Sequence, residues 1–563
     1  MKNKLKRQLN AQQKRKESSF SDSTQLFSHA EKIIDSNPIE AANIYTRLVE
    51  EFAQHPSVFL AYFRLGQIAR RSGQLVQATE FLTRSLYFNI DFYLSYIDLG
   101  YCYLSLGDQE AAYNFYKHAI SLSEKDNAHL GYLGALNCCS LGNLYEQGIL
   151  LAKEALVLDP HNEIYLDRLS YFLHSIGQWE QAYETILKAL KINPSNPQIY
   201  FNLAEIYRYM GLHQQSCDSY RKALSLQPHA ADFHVNLSHQ LLLMGNYKEG
   251  WKEHEWRRQK KGLFRVFKSP HWNGEISLDG KTLLLYAEQG FGDTIQFCRY
   301  ISLLKTTHKV KIIFQCHPEL VTLLAQLKDI DYIFSYIDDP EQHQFDYHCS
   351  IMSLPYYLGT NSFDLIPFKD SAYLQPLTKE NLFWQTLLSN LNETNLKIGL
   401  VWQGALPKKE DNEVTAVPDL RNASLLDFAP LLDIPNCTFY SLQKGSSSLD
   451  IPKYGLQSKI IDFTNKMGDF ADTAAFISQL DLVIGVDTAV LHLASSIGTP
   501  AWLLSRHTGC WRWLTEEQVG NSSPWYPKLK LYRQKTRNSW KSEIEQVYKD
   551  LQLLSENKCQ PII

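Results

Sequence analysis

The sequence has no surplus of positive charge: over 563 residues, 56 lysines and arginines stand against 60 aspartates and glutamates, a formal net charge of −4. A main role in binding nucleic acid is therefore disfavoured, because nothing in the balance would neutralise a run of phosphates. Cysteine is sparse as well. Ten are present, none in a CxxC pair, with Cys138-Cys139 the only close spacing, which predicts reduced thiols in a cytoplasmic protein. No run of about 18 apolar residues occurs, so no membrane-spanning helix is expected. The first residues, MKNKLKRQLNAQQKRKE, are basic with no apolar stretch behind them, which reads as a solvated tail over residues 1–24 and not as a secretory signal. No HExxH, DxD, GxSxG or GxxxxGK[ST] segment stands at a plausible site, so metalloprotease, serine hydrolase and P-loop kinase chemistry lack their usual support.

What is present divides the chain in two. Small-residue pairs recur at Leu65-Gly66, Leu99-Gly100, Leu133-Gly134, Leu169-Ser170, Leu203-Ala204 and Leu237-Ser238, separated by 34, 34, 36, 34 and 34 residues. Gly73, Gly107, Gly142, Gly177, Gly211 and Gly245 run in phase at the expected turns between helices. Ser85, Ala119, Ala155, Ala189 and Ala223 form a third register, with Pro160, Pro194 and Pro228 at the ends of second helices. Such units cannot bury an apolar face alone and stack into a solenoid, here over residues 25–250. Tyr96, Tyr116, Tyr200 and Tyr207 are candidates for a peptide groove, though the repeat needs tyrosines of this kind for packing. The phase is lost from Gly250 to Asp279. Residues 251–279 read as a joint, with Trp251, Trp256 and Trp272 as buried wedges.

The second half alternates strands and helices. LLLYAEQGFGDTIQFCRY, Leu283 to Tyr300, reads as a buried strand, a glycine turn at Gly290 and Gly292, and a helix start. Glycines there let the backbone approach a ligand, and free N–H groups at the helix start can meet an anion. Further strands are expected at Val310–Gln315, Tyr332–Tyr336, Lys397–Trp402, Cys437–Leu442, Lys459–Phe463, Asp481–Val486 and Thr499–Leu504. Helices are expected near Leu425–Leu432, Asp469–Leu480 and Thr488–Ile497. A break near Tyr373–Glu380 separates two such blocks, placed at residues 280–380 and 396–556. The alternation predicts parallel sheets with ligands beyond the carboxyl ends of the strands. A dinucleotide dehydrogenase is disfavoured, since Ile295 stands where GxGxxG needs its third glycine and no acidic residue ends the following strand.

The repeat pattern resembles the tetratricopeptide repeat. GFGDTIQFCRY, GLVWQG, RNASLLDFAPLL, SLQKG, DFADTAAFISQLDLVIGVDTAVLHLASSIGTP and SPWYPKLKLYRQ together resemble bacterial tetratricopeptide-repeat glycosyltransferases, whose catalytic half is similar to lipopolysaccharide heptosyltransferases of glycosyltransferase family 9. The order of parts is more distantly similar to protein O-GlcNAc transferases. The resemblance spans about residues 25–540. It implies an α-solenoid followed by an α/β GT-B fold of two Rossmann-like domains, an acceptor domain and then a donor domain. It further implies a nucleotide-sugar as co-substrate and no metal or other cofactor.

The resemblance makes Asp293 the candidate catalytic base; a carboxylate at a helix start also serves as an N-cap. Thr488 and Ala489, where a buried strand meets a helix, are assigned to the donor diphosphate. Asp487 faces a sugar or ribose hydroxyl, because a carboxylate beside a diphosphate is repulsive, and His492 falls one turn on along the same helix face. Asp487 as a helix cap and His492 as a core histidine are the plainer readings. Arg421, Gln443 and Lys444 are donor-site candidates, the two cations for charge neutralisation, with Gln403 a further contact. The charged segment Ala405–Leu420, carrying Lys408, Lys409, Glu410 and Asp411, reads as a lid or an insertion. Two functions follow: a glycosyltransferase moving a hexosyl or heptosyl group to a protein or glycan acceptor recruited by the repeats, or a protein-interaction scaffold with an inactive transferase-like module.

Overall fold

The computed structural model describes residues 23–124, 127–260, 266–389, 394–404 and 421–558; the charged segment Ala405–Leu420 and nearly all of the basic tail lie outside them. The chain divides into two compact units, Met1–Asn202 and Leu203–Ile563. Among the described residues thirteen α-helices follow one another from Pro38 to His254, after a helical stretch at 23–33.

In the first unit the helices form hairpins such as Val58–Arg71 with Leu75–Phe88 and Tyr93–Ser105 with Gln109–Leu122. The small-residue register has a steric cause. A Cβ on Gly66 would lie 2.7 Å from Leu82, one on Gly100 2.8 Å from the Tyr116 ring, and one on Gly134 2.3 Å from that same ring. Tyr116, 5% exposed, is thus a packing residue against two glycines, and Tyr96 is buried as well, whereas Tyr200 is half-buried. Gly73 and Gly107 turn the chain with φ of +76° and +88°. Gly142 does not: its φ is −85°, and the neighbouring Asn143 takes the left-handed position at +54°, which accompanies the 36-residue spacing.

In the second unit, helices α1 (Ala231–Leu243) and α2 (Tyr247–His254) end the solenoid. Trp251 and Trp272 are buried at 2% and 0% exposure. Trp256 is not a buried wedge: it is half-buried and stacks on His234 at 3.8 Å, 2° from coplanar. Arg257, 3% exposed, ties the segment after α2 to the first sheet, donating from Nε to Glu288 at 2.5 Å and from Nη2 to Ser353 at 2.8 Å.

The first sheet contains β1 (Thr282–Tyr286), β2 (Lys311–Cys316), β3 (Tyr332–Ser335) and β4 (Tyr347–Ser350), all parallel, in the order β3-β2-β1-β4. The second contains β5 (Leu396–Val401), β6 (Cys437–Ser441), β7 (Ile460–Asp462), β8 (Leu482–Val486), β9 (Ala501–Ser505) and β10 (Leu529–Arg533). It too is parallel throughout, in the order β10-β9-β8-β5-β6-β7. Both orders are those of doubly wound sheets, and each has a switch point beside its first strand. β4 and β10 are additions to the strands expected from sequence. The stretch Leu425–Asp433 is a 3₁₀ helix with Pro430 inside it, since proline removes an N–H that an α-helix would use. The fold is an α-solenoid followed by two parallel α/β layers, consistent with the GT-B arrangement.

Candidate functional site

β1 delivers the chain to the turn at Gly290, and α3 (Phe291–Phe297) starts there with Gly290 as N-cap and Asp293 in its first turn. In the second sheet, β8 ends at Val486, Asp487 follows, and Thr488 caps α4 (Ala489–Ser496). The two helix starts touch: a Cβ on Gly292 would lie 3.1 Å from the His492 ring and 3.5 Å from Ala489 Cα. Gly292 lacks a side chain where α3 packs on α4. Gly290 has an ordinary φ of −67°.

Asp293 makes no cap. Its carboxylate accepts a hydrogen bond from Arg512 Nη2, and Arg512 Nε donates to Gln296 Oε1 at 2.8 Å. The guanidinium lies 4.1 Å from the Trp511 ring centroid. Burial works against the Arg512 charge, and the carboxylate of Asp293, followed by Cys510 and Asp487, outweighs it and holds its pKa above the ordinary value. Asp487 accepts from Trp513 Nε1 at 2.9 Å and lies 3.7 Å from His492 Nε2. Burial pushes the Asp487 carboxyl up, but His492, the Trp513 donor and the Arg512 charge overcome this and hold it well below the usual carboxylate range. His492, 4% exposed, shares a 2.8 Å hydrogen bond between Nδ1 and the Tyr526 hydroxyl and stacks on Trp513 at 5.3 Å.

Two polar atoms at this contact stand out. Thr488 Oγ1 and Gln296 Nε2 are buried and make no hydrogen bond to the described residues. Gln296 is 0% exposed, so its amide donor carries a desolvation cost that only a partner placed beside it offsets. At the start of α4, the N–H groups of Ala489 and Val490 come before the first bonds of the helix ladder, at the positive end of the helix dipole.

The other expected residues gather at the ends of β5 and β6. Gln443, 4% exposed, accepts at Oε1 from the N–H groups of Trp402 (3.1 Å) and Gln403 (2.9 Å) and donates to Gln403 O at 3.0 Å. Its amide braces the two strand ends. Gln403 Oε1 accepts from Ser447 Oγ at 2.5 Å. Lys444 Nζ donates to Met467 O at 2.6 Å. The Arg421 guanidinium covers Gly404, where a Cβ would meet its Nε at 3.1 Å. Because β5 lies between β6 and β8, this group flanks one side of the switch point and Asp487-Thr488 the other.

Sequence reasoning missed Arg512, Trp513, Gln296 and Tyr526. For the first two the signal was the segment CWRWL, Cys510 to Leu514, an arginine between two tryptophans. It also missed Arg299, 1% exposed, whose guanidinium lies 4.3 Å from the Tyr373 centroid and 4.8 Å from that of Tyr526 and whose Nη1 donates to Trp525 O at 2.8 Å. This cation joins the segment after α3 to the one after β9. No group of three or more His, Cys, Asp or Glu among the described residues is arranged to hold a metal ion. No helix among them is long and apolar enough to cross a membrane. All nine described cysteines are free thiols.

Residues 93–126 and 197–229 match the tetratricopeptide repeat family and 172–211 the TPR repeat family; the chain carries tetratricopeptide repeats. Protein FlbA of Caulobacter vibrioides is 26% identical over 332 residues, 54% of this chain and 52% of FlbA, so the chain spans about half the length of that curated relative. Among solved structures, the glycosyl transferase family 9 protein from Veillonella parvula is similar at 13% identity, with 51% of this chain and 100% of that one covered and a TM-score of 0.37. A tetratricopeptide repeat protein from Parabacteroides merdae is similar at 14% identity, covering 43% and 94%, with a TM-score of 0.36.

Proposed function

We propose that the chain is a glycosyltransferase that moves a sugar from a nucleotide-sugar to an acceptor held by the repeats, with the donor on the second sheet and the acceptor hydroxyl facing the first. The observation that carries this reading is the contact of α3 with α4. It joins a carboxylate at the end of one doubly wound sheet to a helix start, with an unpaired threonine hydroxyl, at the switch point of the other. Transfer needs a proton acceptor for the incoming hydroxyl and fixed positive charge for the departing diphosphate. Asp293 supplies the first. Thr488, the N–H groups of Ala489 and Val490, and Arg512 supply the second, with no metal required. Arg421, Lys444, Gln403 and Gln443 lie at the strand ends where base and sugar would sit. The repeats bind a protein or peptide that is, or carries, the acceptor.

The scaffold reading draws support from one observation: the Asp293 carboxylate is already engaged by Arg512. Thermal stabilisation and calorimetry with a panel of UDP-, GDP- and ADP-sugars separate the two. A transferase binds one nucleotide class and its sugar, and a scaffold of the second kind binds none.

A further inference from the structure

Arg512 holds a group from the first sheet while its neighbour in sequence holds a group from the second. Its guanidinium binds Asp293 and Gln296, and Trp513 beside it donates to Asp487. Trp511, on the other side, packs edge to face on Trp251 of α2 at 5.3 Å. The turn Trp511–Trp513 therefore holds the guanidinium against Asp293 and near the start of α4, since Gly292, next to Asp293, abuts Ala489. Arg512 is 13% exposed at its side chain and Asp293 17%, so the pair is poorly screened and a third charge brought beside it is strongly felt.

We propose that Arg512 couples donor binding to the base: a diphosphate at the start of α4 competes with Asp293 for the guanidinium, and its arrival frees the carboxylate. This rests on the transferase reading above. Guanidinium donates to phosphate and carboxylate alike, so the two anions compete for Nη2, the group that holds Asp293. The buried Gln296 amide, with Oε1 taken by Arg512 and Nε2 unpaired, offers Asp293 or a phosphate oxygen a replacement donor during the exchange. The chemical step is heterolytic. The acceptor oxygen forms a bond to the anomeric carbon as the bond from that carbon to the phosphate oxygen breaks, the electron pair leaves with the diphosphate, and the acceptor proton passes to Asp293. Arg512 then neutralises charge on the leaving group and no longer engages the base.

Loss of repulsion alone would also tighten binding when Asp293 is neutralised; the competition predicts that the tightening depends on Arg512. Asp293→Asn removes the rival anion, so it should tighten binding of inorganic pyrophosphate, and of whichever of UDP, GDP and ADP binds the wild type, by about tenfold. In an Arg512→Gln background the same substitution should change affinity by less than about twofold, because nothing is left to compete for. Calorimetry on the full chain in a double-mutant cycle measures this, with Arg512→Lys as a second background. Lysine keeps a cation without the bidentate fork, so an intermediate effect is expected and covers the case in which the glutamine variant misfolds. Tightening confined to backgrounds with a cation at 512 supports the proposal. Asp293→Asn leaving affinity unchanged or weaker in the wild-type background overturns it and leaves the transferase reading standing. Failure of the wild type to bind pyrophosphate or any of the three nucleotides overturns both.

Discussion

At the scale of single residues, two substitutions separate function from folding. Thr488 holds a buried hydroxyl oxygen with no partner among the described residues, a cost to the fold and a gain to any anion that bonds it. Thr488→Val keeps the shape and should leave the unfolding temperature unchanged or slightly raised. It should weaken nucleoside diphosphate binding by about 1.5–3 kcal/mol, the range of a hydrogen bond to a charged group. Calorimetry and a melting curve on one preparation show both effects. Asp167, 7% exposed, accepts from Asn202 Nδ2 at 2.6 Å, and burial pushes its carboxyl up to about 6. A raised native value means that the native state keeps a proton the unfolded chain has released. Stability from this group is therefore greatest below about pH 4 and is lost as pH rises through about 6. Asp167→Asn keeps an amide oxygen for Asn202 and removes the charge. The first unit should then be more stable at pH 7 by on the order of 1–3 kcal/mol, and the fall between pH 4 and 6 should flatten in urea unfolding followed by helicity.

At the scale of elements, the repeat helices are held by crossings that admit no side chain. Gly134 sits on the Tyr116 ring, which Gly100 also abuts, so a ring moved to relieve an added methyl at one glycine loses its fit at the other. Alanine favours a helix over glycine by about 1 kcal/mol, and overpacking costs about 1–3 kcal/mol. Contact at 2.3 Å decides for the cost: Gly134→Ala should lower the unfolding midpoint, and a rise would refute the crossing. Elements like these were legible in the sequence because their cause is local and repeats. β1, β5 and β8 were legible for a related reason, since strands buried on both faces read as unbroken apolar runs such as LLLY and LVIGV. β4, YHCS, was not, because four residues with a histidine carry no such signal. Nor was the 3₁₀ character of Leu425–Asp433, whose apolar spacing suits an α-helix until Pro430 is counted. The site was legible only in halves. Asp293 and Thr488 each mark a strand-to-helix turn, whereas the partner of Asp293 lies 219 residues away in a segment whose own pattern announces neither strand nor helix.

At the scale of the whole molecule, a repeat array leads into two parallel layers whose strand ends are joined by Arg512 and Arg299. The repeats continue into the second unit, which begins at Leu203, so α1 and α2 pack within the same unit as the proposed catalytic groups. The measurement that bears most directly on this account is release of nucleoside diphosphate from UDP-, GDP- and ADP-sugars by the full chain in the presence of EDTA, beside Asp293→Asn. The account predicts release from one donor class that chelation leaves intact and that falls by about 10²–10⁴-fold, the usual worth of a general base, in the variant. Release that stops in EDTA and returns with manganese, or that is equal in wild type and variant, would contradict it.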